Sequence, residues 1–531
     1  MHLKREIGLL GLTFVVVSGV IGSGWLFAPL LALQIAGPAA LLAWLIGGVA
    51  MLLLALTYAE IAAMLPVPGG IARVPQFSHG NVVAMVMGWS AWLGYTTTAP
   101  IEVEAMLKYL APHAGWLYAG GDLTWTGIAL AGALLALFTV INAFGVKLFA
   151  TINSTITWAK LGIPALVIVV FLATRFVPGN LTAGDGFAPD GLEGILSAVS
   201  AGGVIFAFIG FRHAVDLAGE TRRPQFTVPF ALIAGLVLCF LIYAGIQLAF
   251  IGAMQPRNFE GGWRNVVFLH DLGPVGSLAT TLGLLWLVSL MNVGAVIGPF
   301  GGGLVAVGSD ARLLLALAQN GLFPAVFERL SRQGVPLVAL LFNLAVATAA
   351  FVLLSFQSVL QLHSAAVMLS FVVGPIAVVA LRHLLPDRPR AFRVPMVGVL
   401  APAAFVIGTF TVYWSGWATV WRLGVCLVAG FALLLLRAWQ HPERRLNLRE
   451  AGWLVPYLAG LGLLSLLGPY GGGLAVLPFG WDMAVCAVFA VALYRLAVAS
   501  RLRPDEFDRT MAEELAFEEQ ELDAPPLAGR A

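Results

Sequence analysis

Apolar stretches of about 20 residues recur along the whole chain of 531 residues. A hydrocarbon core of roughly 30 Å is crossed by about 20 helical residues at about 1.5 Å each. Because lipid offers no partners for backbone N–H and C=O groups, stretches of this length cross a membrane as helices. Since 60% of the residues are apolar and only 11% are charged, an ordinary soluble domain is excluded. The sequence therefore predicts an all-helical, polytopic membrane protein.

We predict fourteen spans, numbered 1 to 14 in chain order, with boundaries uncertain by several residues. They lie at about 7–34, 38–65, 81–107, 123–143, 150–174, 194–217, 226–253, 277–307, 336–355, 359–384, 396–414, 419–437, 452–469 and 482–499.

The basic residues are distributed unevenly between the two sets of alternating loops. One set contains only Lys108, Arg175, Arg257, Arg264 and Arg422, whereas the other holds most of the remaining Lys and Arg residues. Since basic loops stay on the cytosolic side, both termini are predicted to be cytosolic, in a bacterial inner membrane. The net charge of +2 reflects this topology and gives no support for nucleic-acid binding.

Span 1 contains three glycines and two serines within residues 18–24, near its middle. Glycine permits a helix to break, and a break at membrane depth is tolerated where the exposed backbone lines a cavity or binds a ligand. A helix that restarts there has free amides and a partial positive charge at its N-terminus, which suits a carboxylate. The alternative is that the small residues only allow two helices to pack closely.

Span 6 has a comparable irregularity, because its apolar half ends at Phe211 and charge follows at once with Arg212 and His213. If spans 1–5 and 6–10 form an inverted repeat, a break at Gly210 corresponds to the break in span 1. Corresponding breaks in two repeats are typical of a binding site near the bilayer centre.

Lys160 lies in the middle of span 5, about 20 Å from Lys147 at the cytosolic end of this helix and from Arg175 at its outer end. A lysine at the bilayer centre costs about 2.5 to 3.5 kcal/mol, so its ammonium group should face the protein interior and have partners. Burial disfavours the charged form, which lets such a group bind and release a proton. The alternative is a lysine permanently paired with backbone carbonyls that fixes a packing contact.

Four longer segments of the sequence form a recognisable set. They are GVIGSGWLFAP in span 1, YAEIAAMLPVPGG at the end of span 2, FAFIGF with LAGETRRP in span 6, and SDARLLLALAQNGLFP after span 8. Over residues 7–440 the chain resembles the amino acid-polyamine-organocation superfamily of permeases. IGSGWLFA, SHG after span 2, and YWSGWATV at 413–420 are most similar to bacterial aspartate/proton symporters.

The resemblance implies a core of two inverted five-span repeats with the substrate at the two breaks. Span 1 would offer amides and a hydroxyl to the substrate carboxylate, and span 6 would supply an aromatic gate and free carbonyls for the amino group. The substrate-binding residues it implies are Gly22, Ser23, Gly24, Phe206, Ala207, Ile209 and Gly210.

The resemblance also implies a role for Lys160. In proton-coupled relatives, the lysine at this position of span 5 takes the place of a sodium ion between spans 1 and 8. Sodium-coupled relatives have hydroxyl ligands in span 8, whereas residues 297–308 have none before Ser309. We therefore predict proton coupling through Lys160, with no metal site and no cofactor.

Arg212 departs from a pattern of the superfamily, in which proton-sensing exchangers often have glutamate two residues after the span 6 glycine. This departure argues against an arginine antiporter of the acid-resistance type. Arg212 can instead complement an acidic substrate side chain. The alternative is an i,i+4 ion pair with Asp216.

Three glutamates are predicted to have structural roles. Glu60 would brace the cytosolic gate, and Glu102 and Glu104 lie near the outer end of span 3, where Glu104 can pair with Lys108.

The sequence thus predicts proton-coupled import of an amino acid, with aspartate or glutamate favoured. An exchanger without net proton coupling is the alternative, and a membrane-embedded sensor or enzyme is a remote one. Residues 1–385 would form the transport core, 386–500 four additional spans and 501–531 an acidic cytosolic tail. The predicted partners are the substrate, protons and lipid, and the sequence leaves the oligomeric state open.

Overall fold

The computed structural model describes residues 7–66, 70–111, 114–144, 146–266, 268, 273–319, 321, 323–331, 334–440 and 446–512, with the backbone alone at 146–155 and 220. These residues are almost entirely α-helical, which confirms the predicted fold class. The two short strands in the described part, β1 (Tyr118–Ala119) and β2 (Asp122–Leu123), form an antiparallel hairpin between spans 3 and 4.

Helices α1 to α19 follow one another along the described chain. Their bounds are α1 Leu9–Val20, α2 Gly24–Ala36, α3 Ala40–Met64, α4 Gly70–Leu110, α5 Trp125–Ala143, α6 Val146–Thr174, α7 Gly191–Ala201, α8 Val204–Phe208, α9 Arg212–Asp216, α10 Pro224–Ala253, α11 Pro274–Thr281, α12 Leu285–Gln319, α13 Leu337–Leu353, α14 Phe356–Phe371, α15 Val373–Leu384, α16 Val397–Trp414, α17 Trp417–Gln440, α18 Leu454–Leu467 and α19 Trp481–Ala499.

Each predicted span coincides with one helix or with two or three consecutive helices. Within the described ranges, nine helical segments are long and apolar enough to cross a membrane, and the bent pair at 191–216 makes a tenth. One of the nine joins α2 and α3, which Gly37 separates with a φ of 62°. Three shorter apolar helices, α1, α13 and α18, account for further predicted spans.

One predicted span was wrong in its bounds. Span 8, predicted at 277–307, is split, because Gly283 adopts a φ of 74° between α11 and α12, and α12 then continues to Gln319. Span 3, predicted at 81–107, agrees with the second part of α4, which is preceded by a first part that begins at Gly70. The predicted start coincides with a kink at Gly80 (φ 76°, ψ −169°), where the Asn81 N–H donates to the Asn447 side chain.

Spans 1 and 6 are interrupted, as their glycines indicated. In span 1, α1 ends at Val20 and α2 begins at Gly24. In span 6, the bend of 48° lies at Gly203 (φ 80°) and not at the predicted Gly210. Residues 209–211 form a tight 3-10 turn between α8 and α9, so the backbone is irregular at Gly210 as well.

The four additional spans pack against the predicted core through α16, which contacts α3, α14 and α15, and through α17, which contacts α4 and α14. The boundary at 385 between core and additional spans stays a prediction. The predicted acidic tail at 501–531 contains a short helix at 504–512, and residues 513–531 lie outside the described residues.

Candidate substrate and proton site

The interrupted parts of spans 1 and 6 touch each other backbone to backbone. A Cβ atom added to Gly210 would lie 2.0 Å from the Gly19 carbonyl carbon and 2.3 Å from the Val20 nitrogen. A Cβ atom added to Gly19 would lie 2.5 Å from Cδ2 of His213. Both positions therefore need glycine for this close approach, which brings the end of α1 against the 3-10 turn of span 6.

Lys160 links three spans at the end of α1. Its side chain is buried, and Nζ donates a hydrogen bond of 3.0 Å to the Ser18 carbonyl. A Cβ atom added to Gly301 of α12 would lie 3.3 Å from Nζ, so span 8 approaches the ammonium group closely. The ammonium group of span 5 thus lies between spans 1 and 8, at the place where the resemblance implies a substitute for sodium.

Glu102 lies on the other side of the break in span 1. Its buried carboxylate accepts hydrogen bonds from the Ser23 N–H at 3.0 Å (Oε2) and 3.3 Å (Oε1), at the N-terminus of α2. A Cβ atom added to Gly22 would lie 2.3 Å from Oε1, and one added to Gly302 3.0 Å. Glu102 and Lys160 interact electrostatically. Glu102, for which the sequence required no functional role, thus has its carboxylate at the break in span 1.

A cavity borders this pair and lies between spans 1, 3, 6, 8 and 10. Four of the residues predicted from the sequence line it, namely Phe206, Ile209, Gly210 and Arg212. The polar side chains of five further residues also border the cavity: Ser18, Thr98, Glu102, His213 and His363. The cavity thus combines backbone from two irregular segments with buried basic, acidic and imidazole groups.

The remaining predicted residues lie next to this cavity but do not line it. Gly22 and Ser23 face the Glu102 carboxylate. Gly24 and Ala207 pack against each other, since a Cβ atom added to Gly24 would lie 3.1 Å from that of Ala207. Their predicted contacts with a substrate stay predictions, and the Ser23 amide is already bonded to a carboxylate of the protein itself.

Arg212 is buried and borders the cavity. Its Nη2 donates to Thr98 at 3.3 Å, and its guanidinium carbon lies 3.5 Å from the ring centroid of Tyr95. Nε and Nη1 have no hydrogen-bond partner. Asp216 instead accepts from the Tyr95 hydroxyl at 2.6 Å and from the Ile71 N–H at 3.5 Å. The structure therefore does not contain the alternative, an ion pair between Arg212 and Asp216.

Aromatic contacts and an ion pair lie on the predicted cytosolic side of the molecule. The rings of Tyr58, Phe211 and Phe371 are in mutual contact. The Glu60 carboxylate accepts two hydrogen bonds from Arg382 at 2.7 and 2.6 Å, and its bracing of a cytosolic gate stays a prediction.

Phe206 lines the cavity, and a second cluster lies nearer the end of α4. Phe206 packs edge to face on His363 at 5.2 Å. Further out, Lys108 lies 3.6 Å from the ring centroid of Phe356 and pairs with Glu104 at 3.6 Å, as the i,i+4 spacing predicted.

Sequence reasoning missed Glu102 and His363 as cavity residues, although each is a polar side chain within an apolar span, which is a signal of an internal site. Among the described residues, no group of three or more His, Cys, Asp or Glu side chains is arranged to hold a metal ion.

Membrane helices interrupted at corresponding places, with a cavity between them, define the class of secondary transporters. The chain belongs to the amino acid permease family, whose sequence model matches residues 7–442. It is 34% identical to the glutamate/serine transporter AimA of Bacillus subtilis over 513 residues, 94% of either chain. It is also 34% identical to the aspartate-proton symporter of the same organism over 504 residues, 93% of this chain and 96% of the relative.

A more distant relative, the branched-chain amino acid permease BcaP of Bacillus subtilis, is 28% identical over 464 residues, 83% of this chain and 94% of the relative. These findings confirm the resemblance drawn from the sequence motifs. The protein is a multi-pass membrane transporter of amino acids.

Proposed function

We propose that this permease imports an acidic amino acid together with protons, by alternating access across the bacterial inner membrane with both termini in the cytosol. The observation that carries the proposal is the position of Lys160, whose ammonium group donates to the Ser18 carbonyl beside Gly301. An ammonium group that connects moving and static helices can do the work of a bound cation, and it differs from one because its charge is lost with a proton.

Protonated Lys160 holds α1 to spans 5 and 8, and the neutral amine releases one donor and the charge from that contact. Alternating access follows if the protonated form favours the outward-open state and deprotonation towards the cytosol favours the inward-open state. Moving such an equilibrium from 1:99 to 99:1 needs about 5.5 kcal/mol of differential stabilisation. Substrate binding at the adjacent cavity would supply part of that free energy.

Glu102 completes this arrangement as the counter-charge. Its negative charge acts on Lys160, and the carboxylate accepts a hydrogen bond from the Ser23 N–H at the N-terminus of α2. A negative charge is stabilised there by the helix dipole and the free amides. In the proposed cycle, the charged Glu102 carboxylate neutralises the α2 N-terminus and favours the protonated form of Lys160 until the break opens.

The proposed preference for acidic substrates is supported by Arg212. Two of its nitrogens lack partners, although the side chain is 98% buried, and it borders the cavity. Buried donors without partners are costly, so a substrate carboxylate at this place would satisfy them. Two relatives whose names specify glutamate or aspartate point to the same substrate class.

Replacement of Arg212 by glutamine should weaken uptake of aspartate more than uptake of a neutral amino acid. Loss of a hydrogen bond to a charged group costs about 1.5 to 3 kcal/mol, which corresponds to a 10- to 100-fold higher apparent KM for aspartate. The measurement is competition between labelled aspartate and serine in proteoliposomes. Arg264→Gln, which removes an exposed pair with Asp190, is the matched control. An equal loss for both substrates would assign Arg212 a purely structural role.

Replacement of Glu102 by glutamine should uncouple accumulation from the proton gradient. The Ser23 N–H keeps an oxygen acceptor, but Lys160 loses the negative charge that acts on it. We expect accumulation driven by a pH gradient to fall at least tenfold while exchange of internal for external substrate survives. Glu104→Gln, two residues further along α4, should change accumulation by less than about threefold. Unchanged gradient-driven accumulation in the Glu102 variant would contradict the proposed pairing.

The proposed function is tested by uptake into proteoliposomes against a panel of labelled amino acids, with and without an imposed pH gradient. Accumulation of aspartate or glutamate that follows the gradient supports it. Uptake that depends instead on an amino acid loaded inside the vesicles would show the alternative, an exchanger without net proton coupling.

A further inference from the structure

His363 of α14 is a buried polar residue at the cavity, like Arg212. Its side chain is 1% exposed, it lines the same cavity as Arg212, and Phe206 packs on its ring. A buried imidazole at a substrate cavity can act as donor, acceptor or proton carrier, depending on which of its nitrogens holds a hydrogen.

The hydrogen bonds of Thr97 assign that hydrogen. The Thr97 hydroxyl donates to the Leu93 carbonyl at 2.6 Å, and its oxygen lies 3.1 Å from Nδ1 of His363. A hydroxyl has one hydrogen, so the oxygen accepts from an Nδ1–H group. In the neutral ring, Nε2 then carries a lone pair and no hydrogen. This tautomer is assigned from the hydrogen-bond pattern.

The charges around His363 decide when that lone pair takes a proton. The titratable side chains that share the cavity are Arg212 and His213 of span 6 and Glu102 of span 3, whereas spans 1 and 8 line it with uncharged residues. Behind Arg212 lie the Tyr95 ring and Asp310 of span 8.

α14 also packs against α16 and against α17, where the Thr419 hydroxyl donates a hydrogen bond to the Gln361 side chain. The positive charge that acts on the His363 ring is that of the Arg212 guanidinium.

In the empty site, burial and the positive charge of the Arg212 guanidinium both disfavour a second positive charge on the His363 ring. A substrate carboxylate beside Arg212 has the opposite effect, because its negative charge favours a protonated imidazole. Without that proton, the carboxylate would face the lone pair of Nε2. We propose that the side-chain carboxylate of an acidic substrate lies between Arg212 and His363, and that His363 takes up one proton at Nε2 when that carboxylate binds. The inference rests on the proposed acidic substrate.

The consequence is a second transported proton for acidic substrates. The proton comes from the outer solution, is held on Nε2 beside the carboxylate, and leaves to the cytosol when the substrate is released. Aspartate together with this proton has a net charge of zero, as a neutral amino acid has on its own. The transporter can therefore carry both classes through one cycle with equal net charge movement, and Lys160 can serve both.

Calorimetric titration of the purified full-length protein with L-aspartate, in two buffers of different ionisation enthalpy, measures the protons taken up on binding. We expect between half a proton and one proton for the wild type near neutral pH, and close to zero for His363→Gln, which keeps a polar side chain of similar length. His383→Gln, an exposed histidine near the end of span 10, is the matched control and should behave as the wild type.

Each outcome decides the inference. Binding of aspartate by the wild type without proton uptake, or proton uptake that persists in His363→Gln, would overturn it. If His363→Gln does not fold, the wild-type measurement still decides, together with Thr97→Val, which removes the partner of Nδ1 and should change the number of protons taken up. Because binding requires no gradient, this result is separate from proton-coupled accumulation. Failure of aspartate to bind at all would reject the proposed substrate and this inference together.

Discussion

Replacement of Lys160 by alanine should abolish accumulation of substrate driven by a pH gradient, while binding or exchange of substrate survives. The change removes the hydrogen bond to the Ser18 carbonyl and the charge beside Gly301, so the end of α1 is no longer held to span 8 in a proton-dependent way. It also removes the positive charge that acts on the buried Glu102 carboxylate. We expect the internal concentration to rise no further than the external one.

The matched control is Lys108→Ala, because Lys108 lies in the outer cluster with Phe356 and Glu104. This variant can alter the rate of uptake, but its final accumulation should follow the imposed gradient as in the wild type. Accumulation in Lys160→Ala that still follows an imposed gradient would exclude Lys160 as the coupling group.

Replacement of Gly210 by alanine should reduce transport to less than about a tenth of the wild-type rate. The added methyl group would lie within 2.3 Å of three backbone atoms of Gly19 and Val20. No side-chain rotation relieves a clash with backbone, so the two interrupted spans must separate, and overpacking of this kind costs about 1 to 3 kcal/mol or more. The measurement is the initial rate of uptake per molecule of transporter in the vesicle membrane.

Gly162→Ala is the matched control, because this glycine of α6 has no atom within 4 Å of the position of an added Cβ. Alanine is also the better helix former, so this variant should fold and transport normally. Normal transport by Gly210→Ala would mean that the contact between the interrupted spans is not required for the cycle.

The membrane spans could be predicted because the length and hydropathy of a crossing helix are local properties of the sequence. The break in span 1 was equally local, since three glycines mark it. Span 6 was harder, because Gly203 and Gly210 both fit a break and only the surrounding packing decides that the larger bend lies at Gly203. Span 8 was misplaced because the position of Gly283 within an apolar run carried no polar signal.

The site was predicted in part, for a physical reason. Lys160 stands out because a charge in mid-span must have an internal partner, but the identity of that partner depends on how spans 3 and 5 are rotated. The contact of Glu102 with the break in span 1 was missed for the same reason, because its hydrogen bond with the Ser23 amide joins residues 79 apart in the chain. The role of Arg212 turned on whether Asp216 or Thr98 received its hydrogen bond, which i,i+4 spacing alone does not settle.

The central claim is that substrate and protons move inwards together, and one measurement tests it directly. Proteoliposomes that contain a pH-sensitive dye are given labelled aspartate outside, with no gradient imposed and no amino acid inside, and substrate entry and internal pH are recorded at the same time. We predict that the interior becomes acidic as aspartate enters, at a fixed ratio of protons to substrate. Entry of aspartate at an unchanged internal pH would contradict the account.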